Sequence, residues 1–189
     1  MLEVIGLIAG VLAAGSYYPY ILDILHKKAK PERASWLIWS ILVGIAFFAQ
    51  LSEGATSSLW FSALDGLGAL LVFLLSLKYG AGGLVRRDLN ALIAAGIGLV
   101  IWYFTKEAVF ALLITMGIDA IAASLTVMKT YEDPSTETYP MWLIVSLAGI
   151  LAIISVGELD PILLAYPFYI FLANFSVAVS KYLGEHKKQ

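Results

Sequence analysis

Seven stretches of this chain are apolar over the length that a lipid bilayer demands, and almost nothing polar is left between them. A hydrocarbon core of about 30 Å takes roughly 20 mostly apolar residues in one helix. Segments 3–25, 35–52, 57–78, 88–105, 107–128, 140–157 and 160–181 meet that length. The connectors carry helix breakers: Lys30-Pro31-Glu32-Arg33, Gly80-Ala81-Gly82-Gly83 and Glu132-Asp133-Pro134-Ser135. Asp160-Pro161 opens the last segment with proline in a first-turn position. The alternative, a water-soluble helical protein with buried helices, fails on area. Of 189 residues, 60% are hydrophobic and 14% charged, whereas a soluble domain carries about 25% charged residues. The opening MLEVIGLIAG lacks a basic leader and a cleavage site, so it reads as a retained first helix. An all-α membrane protein of seven transmembrane helices is expected.

Charge orients these helices. Of the twelve Lys and Arg residues, only Lys106 falls on the face opposite the rest. Lys27, Lys28, Lys30, Arg33, Lys78, Arg86, Arg87, Lys129, Lys181, Lys187 and Lys188 share the other face. Basic residues are retained on the cytoplasmic side, which places the N-terminus outside and the C-terminus inside, with the cell membrane as the expected location.

The chain also resembles itself. At an offset of 106, Trp36-Leu37-Ile38-Trp39-Ser40 lies over Trp142-Leu143-Ile144-Val145-Ser146. At an offset of 103, Lys78-Tyr79 lies over Lys181-Tyr182. The helices therefore group as three, one and three. Residues 1–80 form the first three-helix bundle, 81–106 carry the fourth helix as a linker, and 107–189 form the second bundle with a short tail. One intervening helix gives the two bundles the same orientation, as parallel repeats related by an axis along the membrane normal.

This arrangement, with Ser16-Tyr17-Tyr18-Pro19-Tyr20 leading into the basic run after Leu25, resembles the PQ-loop and SWEET-like transporter superfamily. That group also includes amino-acid exporters, vitamin-precursor transporters and the KDEL receptor. Three departures stand out: Tyr20 replaces the glutamine of the motif, Leu125 stands at the position equivalent to Pro19, and the four gate prolines of sugar transporters are missing. The resemblance implies alternating access around a midplane site, and it does not imply sugar as the substrate.

Polar residues at bilayer depth mark the candidate site, because they are costly there. Asp65 lies about 10 Å from the outer end of its helix at 1.5 Å per residue, and Asp119 lies near the middle of the fifth. Each suits either a substrate- or proton-binding carboxylate or a structural hydrogen bond between helices. Their repeat mates are Phe168 and Ala13, so the site is expected to be asymmetric. Ser40 and Ser146 either face the pathway as a symmetric pair or bond back to their own helices. Tyr18, Trp39 and Tyr169 are the expected aromatic walls, while Trp36 and Trp142 read as interfacial belt residues. A midplane asparagine contacts substrate in the SWEET-like proteins, and by position Asn174 takes that role. Pro19 breaks a backbone bond late in the first helix and is a candidate gate hinge. Gly6, Gly10 and Ala14 form a small-residue stripe for close contact, within the bundle or between copies in a homo-oligomer.

Enzyme chemistry finds no foothold. There is no Cys, which excludes thiolate chemistry and disulfides. His26 and His186 have no metal-ligand spacing around them. A retinal-binding lysine would sit mid-way along the seventh helix, but Lys181 lies at its end. No cofactor, metal or nucleic acid is expected, the last because the net charge is only −2. The sequence thus points to a small-molecule transporter or facilitator, with proton coupling open to its carboxylates. The solute is a small polar one: sugar, amino acid, organic acid or vitamin precursor. A non-transporting receptor or scaffold, KDEL-receptor-like, and a small channel are the alternatives.

Overall fold

The computed structural model describes residues 1–27, 31, 33–80, 86–105, 107–132, 134 and 139–187, apart from the side chains of residues 34, 35, 87, 88, 91, 108, 121, 122, 125 and 129. Lys28, Lys30, Lys106 and Lys188, positions 81–83, and the side chains of Arg87, Leu125 and Lys129 therefore lie outside the described residues. Among the described residues there are seven α-helices and no strand: α1 Leu2–Leu25, α2 Arg33–Ser52, α3 Leu59–Tyr79, α4 Arg86–Thr105, α5 Ala108–Glu132, α6 Tyr139–Val156 and α7 Pro161–Lys187. Four of them, α1, α3, α6 and α7, are long and apolar enough to cross a membrane. The apolar runs Trp36–Ser52, Leu92–Thr105 and Val109–Ala120 in the other three are shorter. Polar residues at the heads of α2 and α4 (Arg33; Arg86 and Asn90) account for part of that.

Local chemistry explains several helix ends. Pro161 is the first residue of α7, and the Asp160 carboxylate accepts hydrogen bonds from the Ile162 and Leu163 amides at 2.7 and 3.0 Å. This is an N-cap satisfying two otherwise orphaned donors. α3 stops at Gly80, where the Arg33 guanidinium donates to the Ser76 and Gly80 carbonyls at 3.0 and 2.9 Å. α7 runs six residues past the expected end at 181, because the only glycine or proline after that point is Gly184, which the helix absorbs. Lys181 Nζ donates to the Pro134 carbonyl at 2.6 Å and pairs with Glu185 at 2.8 Å. Tyr139 Oη donates to the same Glu185 at 2.8 Å. The end of α3 and the end of α7 are thus each fastened to the connection that precedes the neighbouring helix.

Helix contacts form a ring. α1 packs on α3, α3 on α2, α2 on α5, α5 on α7, α7 on α6, and α6 closes against α1. α4 stands outside the ring, against α5 and α2. Small residues make the close approaches. Gly6 and Gly10 face the Ser57 and Trp60 carbonyls at the head of α3, and Gly149 of α6 faces the backbone of Phe171 in α7. The Gly6–Gly10 stripe is therefore used inside the bundle. Between the helices lie Ala9, Ala13, Ala46, Ala49, Ala148 and Ala152 around Phe61, Leu112 and Tyr166.

Large apolar side chains face outward as well as inward, and several polar ones are buried. Buried positions include Ser16, Gln50, Ser62, Asp65, Thr115 and Ser155, while Leu71, Leu74, Ile97, Phe104, Leu147 and Phe175 are exposed. Soluble monomers rarely expose contiguous apolar surface beyond a few hundred Å².

A Cβ at Gly10 would lie 2.4 Å from the Trp60 carbonyl oxygen, whereas Gly15 and Gly44 have nothing within 4 Å. Gly10→Val should destabilise the protein by about 1–3 kcal/mol or more through overpacking. Gly15→Ala and Gly44→Ala should be neutral or raise stability by up to about 1 kcal/mol through helix propensity. Thermal unfolding in detergent checks the contrast.

Candidate functional site

Six helices, all those of the ring, enclose one cavity of about 730 Å³. α4 contributes nothing to it among the described residues. α1 lines it with residues from Ser16 to Asp23, late in that helix, and α2 with residues from Trp36 to Val43, early in that one. α6 contributes Pro140 to Val145, again early. The cavity therefore occupies the half of the bundle nearer the ends that carry Lys27, Arg33 and Lys78. Asp23 and Pro140 at its rim are exposed, while Asp65 and Tyr166 at its depth are 6% and 2% exposed. Beyond them the alanine-rich core closes the opposite half.

The two carboxylates meet in this cavity, each held by a phenol. Tyr17 Oη of α1 donates to Asp65 Oδ1 of α3 at 2.9 Å. The ring of Tyr17 rests over Gly68, one turn beyond Asp65, where any Cβ would fall about 2.4 Å from a ring carbon. Glycine at 68 is thus what lets the phenol reach the carboxylate. Tyr169 Oη of α7 donates to Asp119 Oδ2 of α5. Trp39 of α2 lines the same cavity. A phenol occupies one of about four acceptor positions on a carboxylate, so both retain capacity for a further partner.

Aromatic rings form the walls. Tyr20 stacks on Trp36 at 5.5 Å between centroids, and Trp39 meets Trp36 edge-on at 5.0 Å. Tyr17 approaches the same Trp36 at 6.0 Å. Trp142, Tyr166 and Tyr169 stand on the side formed by α6 and α7.

Of the expected site residues, Asp65, Asp119, Asn174, Trp39 and Tyr169 line the cavity together with Pro19, which sits inside an α1 that continues to Leu25. Asn174 donates its side-chain amide to the Ile170 carbonyl at 2.8 Å. Three others lie elsewhere. Tyr18 is 65% exposed on the outer surface, because one residue along a helix turns the side chain by about 100° and Tyr17 takes the inward position. Ser40 and Ser146 are not on the cavity wall. Each hydroxyl donates to the carbonyl four residues back, Trp36 and Trp142, at 2.7 Å, which is the back-bonding alternative. Trp36 and Trp142, read as belt residues from the sequence, both line the cavity.

Sequence reasoning missed Tyr17 as a wall of the site, and by helical spacing it sets Tyr166 on the face of Ile170 and Asn174 without giving it a role. A signal for the first was present: Tyr17 continues the Gly6–Gly10 stripe at a spacing of seven, two helical turns on, and so shares its inward face. Among the described residues no cluster of His, Asp or Glu could hold a metal ion. Comparison with known proteins returns no matching family model, no matching curated relative and no matching solved structure.

Loss of either phenol leaves a buried carboxylate short of a donor, at a cost of about 1–3 kcal/mol. Tyr17→Phe and Tyr169→Phe should therefore both lower the unfolding temperature. Tyr18→Phe should stay within about 0.5 kcal/mol of the parent, as exposed substitutions do.

Proposed function

We propose that this protein is an integral membrane transporter for a small polar solute, working by alternating access around the cavity. In this reading the seven helices span the membrane as two parallel three-helix bundles, 1–80 and 107–189, with the fourth helix of 81–106 as linker. The N-terminus lies outside and the C-terminus in the cytoplasm. The observation that carries the proposal is a cavity enclosed by six helices whose exposed rim, at Asp23 and Pro140, lies at one end. It ends on two carboxylates and is sealed beyond them by close-packed alanines. A site at mid-depth with one open and one closed side is the geometry that alternating access requires.

Several observations support the duplication. In the ring order, exchanging α1, α2 and α3 for α5, α6 and α7 leaves the sequence of neighbours unchanged. Gly80, after α3, packs against the Pro31 carbonyl, and Gly184 in α7 packs against Pro134. Ser40 and Ser146 make the same back-bond at an offset of 106. Each triplet also contains one carboxylate–phenol bond between its first and third helices, with the roles exchanged: Tyr17 to Asp65, and Tyr169 to Asp119. The site is asymmetric in residue order and nearly symmetric in chemistry. These features also support the resemblance to PQ-loop and SWEET-like transporters.

A carboxylate in an apolar cavity can be neutralised by a proton, which makes proton coupling an option of the same two residues. Uptake into proteoliposomes under an imposed pH gradient tests the mechanism. Asp65→Asn and Asp119→Asn should each reduce flux at least about tenfold, a change equivalent to about 1.4 kcal/mol. Flux equal to the parent in both variants would remove the carboxylates from transport. Absence of flux for every solute, with retained ligand binding, would favour the receptor reading.

The chain has no native Cys, so single cysteines report access directly. Thr126→Cys and Asn174→Cys line the cavity and should react with a water-soluble maleimide added from the C-terminal side. Ala13→Cys and Ala152→Cys, in the sealed half, should not. Equal labelling of both pairs would contradict the one-sided opening.

A further inference from the structure

Resting on the transporter reading, we infer that the solute is an organic cation, a substituted ammonium carrying apolar groups, bound between the two carboxylates and the aromatic walls. Three features of the cavity lead there. The first is its charge. Among the described residues the lining contains Asp23, Asp65 and Asp119 and no Lys, Arg or His. An anionic solute entering a low-dielectric pocket would meet like charges with no cation to offset them, and such juxtaposition is strongly unfavourable. A cation entering the same pocket supplies the counter-charge that the carboxylates lack.

The second is the character of the walls. Trp36, Trp39 and Tyr20 form one connected set of rings, and Tyr166, Tyr169 and Trp142 stand on the α6 and α7 side of the cavity. Ring faces attract an ammonium group through their quadrupole, most strongly for tryptophan, and aromatic cages are a recurrent way to hold quaternary ammonium. The third is how the small neutral side chains in and near the cavity are used. A sugar needs many donors and acceptors at fixed positions. Here Ser40 and Ser146 are off the wall, Ser16 is bonded back to Ala13 at 2.7 Å, and one of the two Asn174 amide N–H groups is taken by the Ile170 carbonyl. The volume of about 730 Å³ suits a molecule of metabolite to small-drug size.

The test reads binding through the cavity's own fluorophores, since Trp36, Trp39 and Trp142 all line it. The purified full-length protein is titrated with choline and with phenyltrimethylammonium. The controls are 3,3-dimethylbutan-1-ol, the uncharged isostere of choline, and benzoate, an aromatic anion. Both cations should change the tryptophan emission saturably, and the isostere and the anion should bind on the order of tenfold more weakly or not at all. Asp119→Asn and Asp65→Asn should weaken cation binding by a similar factor, and Trp39→Leu should do so without touching a carboxylate. An isostere or anion that binds as well as the cations overturns the inference, as does the absence of a saturable response to either cation. Unchanged cation affinity in both Asn variants overturns it as well. The comparison between choline and its isostere needs no variant to fold. Failure of the transporter reading is distinguishable: choline that binds but never enters proteoliposomes ends that reading and leaves the cation site intact. Flux of a neutral solute that neither cation inhibits does the reverse.

Discussion

A carboxylate moved from water into an apolar helix bundle persists only with donors aimed at it, because desolvation of the unpaired ion costs several kcal/mol. That constraint organises the interior of this protein. Asp65 and Asp119 stand on α3 and α5, and each is met by a phenol from the helix packed beside it. The phenols in turn dictate their surroundings. Tyr17 reaches Asp65 only because Gly68 offers no side chain to obstruct its ring. Tyr169 reaches Asp119 from a helix whose start is fixed by Asp160 and Pro161.

Side-chain size then decides where space is left. In the closed half the helices meet through Gly6, Gly10 and a set of fully buried alanines, so backbones approach closely and no cavity opens. Small residues are the usual means of close helix contact in membranes, where lipid supplies no hydrophobic drive for association. In the other half Trp36, Trp39, Tyr20 and Trp142 hold the helices apart and line the gap. The polarity of the bundle, sealed at one end and open at the other, is thus a gradient of residue volume along the helices.

Much of this was legible in the chain. Hydropathy placed the helix ends to within four residues except at the end of α7, and the Asp160-Pro161 signature placed the start of that helix. Asp65 and Asp119 announced themselves as ionisable residues in apolar runs, and both line the cavity. What periodicity could not deliver was facing. Tyr17 and Tyr18 are chemically identical neighbours, and only the face carrying Gly6 and Gly10 distinguishes them. Trp36 and Trp142 read as belt residues from their place near the helix starts, which says nothing of the face they turn to, and both line the cavity. Ser40 and Ser146 were legible as a pair with two alternatives, and the back-bond prevailed on local geometry that spacing does not encode.

On the proposed mechanism, the distribution of polar bonds sets what can move. Tyr17–Asp65 and Tyr169–Asp119 join helices within one triplet each, as do the Arg33 bonds to the end of α3 and the Tyr139–Glu185 bond. The contacts between triplets run α1 to α6 and α2 to α5, and their packed core there is largely alanine. Rocking one triplet against the other would exchange one set of apolar contacts for another while leaving those polar bonds whole. Trp39 and Asp119 are different: they belong to α2 and α5, on opposite sides of that division, and line the same cavity. A solute held between that ring and that carboxylate would touch both moving parts. Occupancy of the site would thereby bear directly on a contact between them, which is the coupling that alternating access needs.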